Sequence, residues 1–533
     1  MFQSIINTAT IKNALFHFRT FGFRSMLRKT IEYLEFTRNY NNWQKIHVPS
    51  KNLLTTQQNH TFLYSPTISI IVPIYRTPEV FLRQLLDSVT QQTYSNWELC
   101  IADGSMSSSY TYIQDIIHEY QVNYPNIRYK LLPDNKGISG NTNAALALSS
   151  GDYISLLDHD DILAPDALFE VVKAINISSD IDVIYTDEDK VNLDLTAFYD
   201  PNFKPDFDLD YLRSCNYITH FYIVKRELAL QVGGFDLECN GSQDYDFILK
   251  TSEKARKIYH IPRILYHWRI HPASVAGDPE SKSYAYTSAI RALQNHLNRC
   301  QESGTVYADK QFGYYKIQYK YTATPLVSII LRDCNLNLKS QITNFSTYSN
   351  IEFVDSPNDA HGNYIVFLYK VNTLLNNDWI EQFLGNCSRS SVGLIGSKIF
   401  YNKSRVLEAG LVFTPDGRLH SPFQKYYDSD PGYNYHAKVQ QCCSFISSYC
   451  FMIKRDILFE SGYSLFEKGS LDSFWQLCMF IRKKQLSIVF TPHVNVICTD
   501  KPSRNLPYLE QLKEQQDPYY NPNFSQTRMY HLS

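Results

Sequence analysis

Gly151-Asp152-Tyr153-Ile154-Ser155-Leu156-Leu157-Asp158-His159-Asp160-Asp161 brings three carboxylates, in four residues, to the end of an apolar run. The run Asp152 to Leu157 predicts a short buried strand, bounded by Gly151 before it and by the carboxylates after it. Carboxylates this close repel one another unless solvent or a cation lies between them. In an open α/β sheet, ligands bind in the crevice at the carboxyl ends of the strands, where these aspartates would stand. A metal site is the reading taken. The blander alternative is a solvated acidic turn, with Asp166 capping the helix that follows Pro165.

Upstream, Pro66 to Tyr75 is a β-branched run that reads as a strand stopped by Pro73, and Val80 to Thr90 has helical spacing. Trp97 to Ala102 is a second strand ending in Asp103-Gly104-Ser105, and Asn126 to Leu131 a third. The loop Asn135 to Asn143 then enters an alanine-rich helix. Strand, helix, strand with polar residues at each carboxyl end is the grammar of a nucleotide-binding sheet. Asp103 can accept hydrogen bonds from a base or ribose, and Gly104 lets the backbone pass close to it. Downstream, Val183 to Lys190 is another strand ending in carboxylates. Asp187, Glu188 and Asp189 read as a solvated strand end, with an acceptor-facing role as the alternative. Asp246 reads as a helix first-turn carboxylate.

Seven motifs stand in the order found in glycosyltransferase family 2: Pro73-x-Tyr75, Asp103-Gly104-Ser105, Asn135-x-Gly137, Leu157-Asp158-His159-Asp160-Asp161, Gly233-Gly234-Phe235, Gln243-Asp244-Tyr245-Asp246 and Arg269-x-His271. The stretch from about Ser65 to Leu297 resembles the bacterial members that build O-antigen, capsule and other surface polysaccharides. The resemblance implies an α/β GT-A fold, a mixed sheet flanked by helices. It also implies inverting transfer of a sugar from a nucleotide diphosphate sugar to a glycan or lipid-linked acceptor. Carried over residue by residue, it assigns Pro73, Tyr75, Asp103, Asn135, Gly137, Asn143 and Asp158 to the donor. Asp158, Asp160 and His271 are assigned to Mn²⁺ or Mg²⁺, with His267 as the alternative histidine, and Asp244 is the base that takes the acceptor hydroxyl's proton. Gln243 departs from the family's usual glutamate, and Asp103 stands alone where many relatives carry two aspartates.

The chain then repeats itself. Thr347-Tyr348-Ser349-Asn350-Ile351-Glu352 echoes Thr93-Tyr94-Ser95-Asn96-Trp97-Glu98, and Gly362 to Leu368 echoes Gly151 to Leu157. In that alignment Asp158, His159, Asp160 and Asp161 face Tyr369, Lys370, Val371 and Asn372, a set that cannot hold a divalent cation. The expected organisation is a basic, partly helical segment over 1–63, a catalytic domain over 64–299 and a linker over 300–324. A truncated, degenerate copy follows over 325–500, then a tail over 501–533 that wraps the surface.

With 533 residues there is room for two cores. The 51 basic residues nearly balance the 53 acidic ones, so no global field argues for nucleic acid. Eleven cysteines without Cys-x-x-Cys spacing suggest reduced thiols and a cytoplasmic chain. No apolar run reaches membrane-span length. Residues 1–50 interleave cations with Leu15, Phe16, Phe18, Phe21 and Phe23, the pattern of a basic amphipathic helix. Such a helix either lies on anionic lipid at the inner face of the cytoplasmic membrane or packs on the catalytic domain. The competing functional reading is a noncatalytic carbohydrate-binding or assembly subunit.

Overall fold

The computed structural model describes residues 23–271, 283–321, 323–462, 472–502 and 507–532. The first sheet comprises β1 (Ile68–Ile74), β2 (Trp97–Asp103), β3 (Ile127–Leu131), β4 (Tyr153–Leu156), β5 (Ile162–Leu163), β6 (Ile181–Val191), β7 (Phe198–Asn202), β8 (Tyr222–Lys225) and β9 (Lys257–Arg269). Their order is β3-β2-β1-β4-β8-β6-β9-β5, with β7 on the outside of β6. The first four are parallel, β8 is antiparallel to β4 and β6, and β9 runs parallel to β6.

All seven residues of β1 are buried, as a strand covered on both faces requires. Ile68, Ile70 and Val72 pack with α1 (Glu79–Thr90), α2 (Thr111–Gln121) and α3 (Ala167–Ile175). Ile71 points the other way, into a cluster with Phe247 and Leu293. Pro73 does not stop β1, which runs on to Ile74. Pairing with β4 ends at Ile71–Leu156, so the prolyl nitrogen has no ladder acceptor to miss.

The stretch expected to be a linker carries a hairpin, β10 (Gly304–Ala308) with β11 (Tyr315–Tyr319). Its alternating Tyr315, Ile317 and Tyr319 are buried in the same cluster as Leu293 and Leu297, so a period-two apolar face holds it to the first domain.

The second sheet comprises β12 (Val327–Arg332), β13 (Ile351–Val354), β14 (Tyr364–Tyr369), β15 (Val371–Leu374), β16 (Val392–Asn402) and β17 (Arg405–Glu408). The short β18 (Val412–Phe413), β19 (Leu419–His420) and β20 (Gln441–Cys442) precede β21 (Cys450–Lys454) and β22 (Ser487–Cys498). The order β13-β12-β14-β21-β16-β22-β15 reproduces the first sheet strand for strand from β2 to β5, without a counterpart of β3. The hydrogen bonds repeat too. Ser69 Oγ donates to Glu98 at 2.6 Å and accepts from Gly151 N–H at 3.0 Å. Ser328 Oγ donates to Glu352 at 2.6 Å and accepts from Gly362 N–H at 2.9 Å. The Tyr94 hydroxyl donates to Pro66 O at 2.6 Å and that of Tyr348 to Pro325 O at 2.5 Å. Tyr153 pairs with Lys225 as Tyr364 pairs with Lys454.

Outlying segments tie the halves together. In the helix Phe23–His47, Tyr40 and Trp43 are buried with Phe203, Val412, Tyr520 and Phe524. Packing on the first domain therefore accounts for this end of the basic segment. Residues 1–22 lie outside the described residues. Arg389 pairs with Asp210 across the domains at 2.8 Å, both buried.

Candidate active site

The site lies beyond the carboxyl ends of β1, β2 and β4. Asp103, the last residue of β2, is buried; its Oδ1 accepts from Ser105 N–H at 2.8 Å and its Oδ2 from the Tyr129 hydroxyl at 2.9 Å. Tyr75 is exposed just past β1, with the Arg76 guanidinium 4.9 Å from its ring centroid. Asn135 approaches Gly104 so closely that a Cβ there would lie 3.1 Å from Asn135 Oδ1 and 2.8 Å from Asn141 Nδ2. Only glycine fits, and Asn135 and Gly137 are thereby set beside Asp103. Asn143 is a correction. Its amide nitrogen donates to Phe235 O at 2.8 Å and its oxygen accepts from Phe235 N–H at 2.9 Å. Both polar atoms clamp the Gly233-Gly234-Phe235 turn, so Asn143 serves the fold rather than a donor.

In the carboxylate loop, His271 Nε2 lies 2.7 Å from Asp160 Oδ2. His267 Nδ1 is held by Asp189, and its ring packs edge-on against Phe198. The Asp158 side chain is half exposed, and its Oδ2 is 3.5 Å from His220 Nε2. Asp161 is fully buried; Oδ2 accepts from the Tyr266 hydroxyl at 2.5 Å and Oδ1 from Arg269 N–H at 2.7 Å. Burial, and after it the charges of Asp160 and Asp158, push the Asp161 carboxyl well above its ordinary range. Asp161 thus pins the loop to β9 while its neighbours face outward. Ligand atoms of Asp158, Asp161 and His220 all lie within 4.8 Å of one another. Asp166 makes no capping bond and is buried against Arg263 at 3.0 Å.

The expected solvated end of β6 is instead a buried acidic triplet. Asp187 contacts His260 at 2.8 Å and accepts from Asn521 Nδ2 at 2.9 Å. Glu188 lies 3.4 Å from Lys204 Nζ and 3.1 Å from His220 Nδ1. Asp189 accepts from the Tyr40 hydroxyl at 2.5 Å. Each carboxylate is supplied with a cation or donor from a distant segment, which is what makes burial tolerable. His220, stacked on Tyr266 at 4.6 Å, links the triplet to Asp158. Burial opposes its charge, but the bonds to Asp158 and Glu188 outweigh burial and hold its pKa well above the ordinary value. Sequence reasoning missed His220 and Lys204, since nothing local distinguishes them from packed residues, and read Glu188 as solvated.

Asp244 opens the helix Gln243–Ser252 and accepts from Asn216 Nδ2 at 2.9 Å. Burial raises its pKa, and Asn216 Oδ1 accepts from Thr219 N–H at 3.4 Å, whose hydroxyl donates to Glu188 at 3.0 Å, so a chain of hydrogen bonds runs from Asp244 to the Glu188–His220 pair beside Asp158. Asp246, two residues on and so on the opposite side of the helix, is fully buried against Lys250 at 2.9 Å and acts structurally.

In the second domain Tyr369 stands in the place of Asp158, and by strand register Tyr449 stands in that of His220. Lys370 pairs with Asp500 at 3.1 Å, and the Tyr449 hydroxyl donates to Asp500 at 2.8 Å. An internal cation has replaced the acidic cluster.

Residues 69–232 match the model of the family described as glycosyl transferase family 2. An uncharacterised protein of Sinorhizobium fredii is 29% identical over 532 residues, covering 87% of this chain and 58% of its own length. The O-antigen biosynthesis protein RfbC of Myxococcus xanthus is 28% identical over 528 residues, covering 87% of this chain and 40% of its own. The chain thus spans about half the length of these two relatives. Among solved structures, TarS residues 1–349 of S. aureus in complex with UDP matches at 20% identity and a TM-score of 0.35, over 44% of this chain and 66% of that one.

Proposed function

We propose that the chain is a glycosyltransferase of family 2 whose first domain moves a sugar, with inversion, from a nucleotide diphosphate sugar to a glycan or lipid-linked acceptor in bacterial surface polysaccharide synthesis. The observation that supports this is the hydrogen-bond chain from Asp244 through Asn216, Thr219, Glu188 and His220 to Asp158 at the head of the carboxylate loop. Asp160, with His271 at 2.7 Å, and Asp158 two residues before it, beside His220, offer carboxylate oxygens and imidazole nitrogen, a donor chemistry that suits Mn²⁺ or Mg²⁺. Bound there, such a cation supplies Lewis-acid stabilisation of the charge that gathers on the departing diphosphate. Glu188 and His220 hold Asp158 in place. Asp103 and Asn135 offer acceptors at the base and ribose end of the donor. Asp244, oriented by Asn216, takes the acceptor hydroxyl's proton from the face opposite the leaving group.

The exposed Phe23, Leu27, Ile31 and Leu34, spaced four, four and three residues along one helix, support a peripheral contact with an anionic bilayer on the cytoplasmic side. Loss of residues 1–50 lowers sedimentation with anionic vesicles on this reading, and unchanged sedimentation removes it.

The donor reading is tested by a thermal-shift screen of nucleotide sugars with Mn²⁺ against an EDTA control. A metal-dependent rise with one nucleotide class is expected. A flat response across the whole panel contradicts it.

A further inference from the structure

Because the sheets share their register, features of the first domain have named counterparts in the second. In the first, β6 and β9 lose register at Pro262, between the pairs Thr186–Ile261 and Asp187–Ile264. The C-terminal segment crosses there: Asn521 donates to Asp187 and Asn523 Nδ2 to Pro262 O, both at 2.9 Å. In the second, β16 and β22 lose register around Pro492, between Gly396–Phe490 and Lys398–Asn495. Lys398 stands where Asp187 stands, so the charge is reversed. Instead of a bound segment there is a cleft of about 380 Å³, closed on one side by the tip of the β10–β11 hairpin.

Four lysines line this cleft, Lys310, Lys398, Lys403 and Lys438, against Asp309 and Asp428. Lys398 is 1% exposed and donates to Asp428 Oδ1 at 2.8 Å, while Lys438 shares the same oxygen at 3.2 Å. Burial, and after it the Lys438 charge, lowers Lys398 to about 8. Asp428 thus pairs with two ammonium groups, and with the buried Asp430 nearby the balance is four lysines against three carboxylates. Lys310 and Lys403 are exposed at the rim and form no ion pair among the described residues. Tyr435, stacked on Tyr314 at 4.2 Å, presents a fixed aromatic wall. Surplus positive charge beside an aromatic face, in a volume suited to one or two sugar rings, is complementary to an acidic saccharide.

We propose that this cleft binds an acidic sugar unit of the acceptor glycan, its anionic group among Lys310, Lys398 and Lys403 and its ring against Tyr435. The choice of a saccharide rests on the glycosyltransferase reading. The full chain is titrated calorimetrically with a glucuronate-containing tetrasaccharide, with its neutral methyl ester, with a mannose 6-phosphate disaccharide and its unphosphorylated form, and with inorganic phosphate. At least one acidic probe binds about tenfold more tightly than its neutral counterpart, and the double variant Lys310→Ala/Lys403→Ala weakens it about tenfold. Equal affinity for charged and neutral forms overturns the proposal, as does acidic binding unmoved by the double variant, or no binding of either acidic probe at about 1 mM. Phosphate binding as tightly as the saccharides overturns the sugar as occupant. Metal-dependent donor cleavage by the unmodified chain, measured without saccharide, reports separately on the catalytic reading. Cleavage without saccharide binding sinks only the cleft.

Discussion

Replacing Glu188 by Gln removes one charge from a buried network while keeping the side chain's shape. Lys204, its partner at 3.4 Å, has a fully buried side chain. Breaking such a pair from one side costs about 3–5 kcal/mol, because the remaining charge is stranded. Lys204 Nζ keeps two carbonyl acceptors, Ile218 O at 2.6 Å and His220 O, so the expected loss lies near the lower figure, about 3 kcal/mol. The pH dependence identifies the mechanism. Burial raises the Glu188 pKa, but Lys204 and His220 outweigh burial and bring it from 4.5 to about 2. Its contribution is present above pH 4.5 and fades as pH falls toward 2. His220, whose pKa is raised, contributes fully below 6.5 and loses that contribution as pH rises through the folded value. The wild-type advantage is therefore greatest between pH 4.5 and 6.5. Equilibrium urea unfolding of both proteins across pH 3 to 9 measures it. A difference below about 1 kcal/mol at pH 5.5, or one independent of pH, refutes the network as an electrostatic unit.

Asp244→Asn lowers transfer by about 10²- to 10⁴-fold while the donor-induced thermal shift persists, and wild-type transfer falls on acidification through a pKa above the ordinary 3.8. Gly151→Ala and Gly362→Ala each place a Cβ 2.5 Å from a backbone oxygen, of Thr67 and Leu326 respectively. Each destabilises its own domain by about 1–3 kcal/mol in thermal unfolding, and a harmless change at either position contradicts the shared packing. Asn143→Ala strips both backbone partners from Phe235 and costs about 1–3 kcal/mol, with nucleotide-sugar affinity unchanged in calorimetry.

What could be read in the chain was what is local. Strands β1, β2 and β4 follow from short apolar runs, and the aspartates at their ends follow from the sheet grammar. The duplication was visible because Thr-Tyr-Ser-Asn and the Gly-x-Tyr-Ile opening recur, and those residues make the same hydrogen bonds twice. What escaped depends on distant partners. Asp187, Glu188 and Asp189 look like a solvated end until Tyr40, Lys204 and Asn521 arrive from segments up to 334 residues away. Asn143 lies in the helix Gly137–Leu146, at the end of the stretch read as a donor loop, and its partner Phe235 lies 92 residues downstream. The hairpin over 304–319 was passed over although Tyr315, Ile317 and Tyr319 alternate with Lys316 and Gln318, because only packing beside Leu293 and Leu297 shows that this short face is buried.

The most direct test is the rate at which nucleotide diphosphate is released from the donor that the thermal-shift screen selects, measured for the wild type and for Asp160→Ala with Mn²⁺ and with EDTA. Release by the wild type that EDTA abolishes, together with near-complete loss in a folded Asp160→Ala, is the predicted result. Undiminished metal-dependent release from Asp160→Ala would contradict the assignment of the cation to this loop.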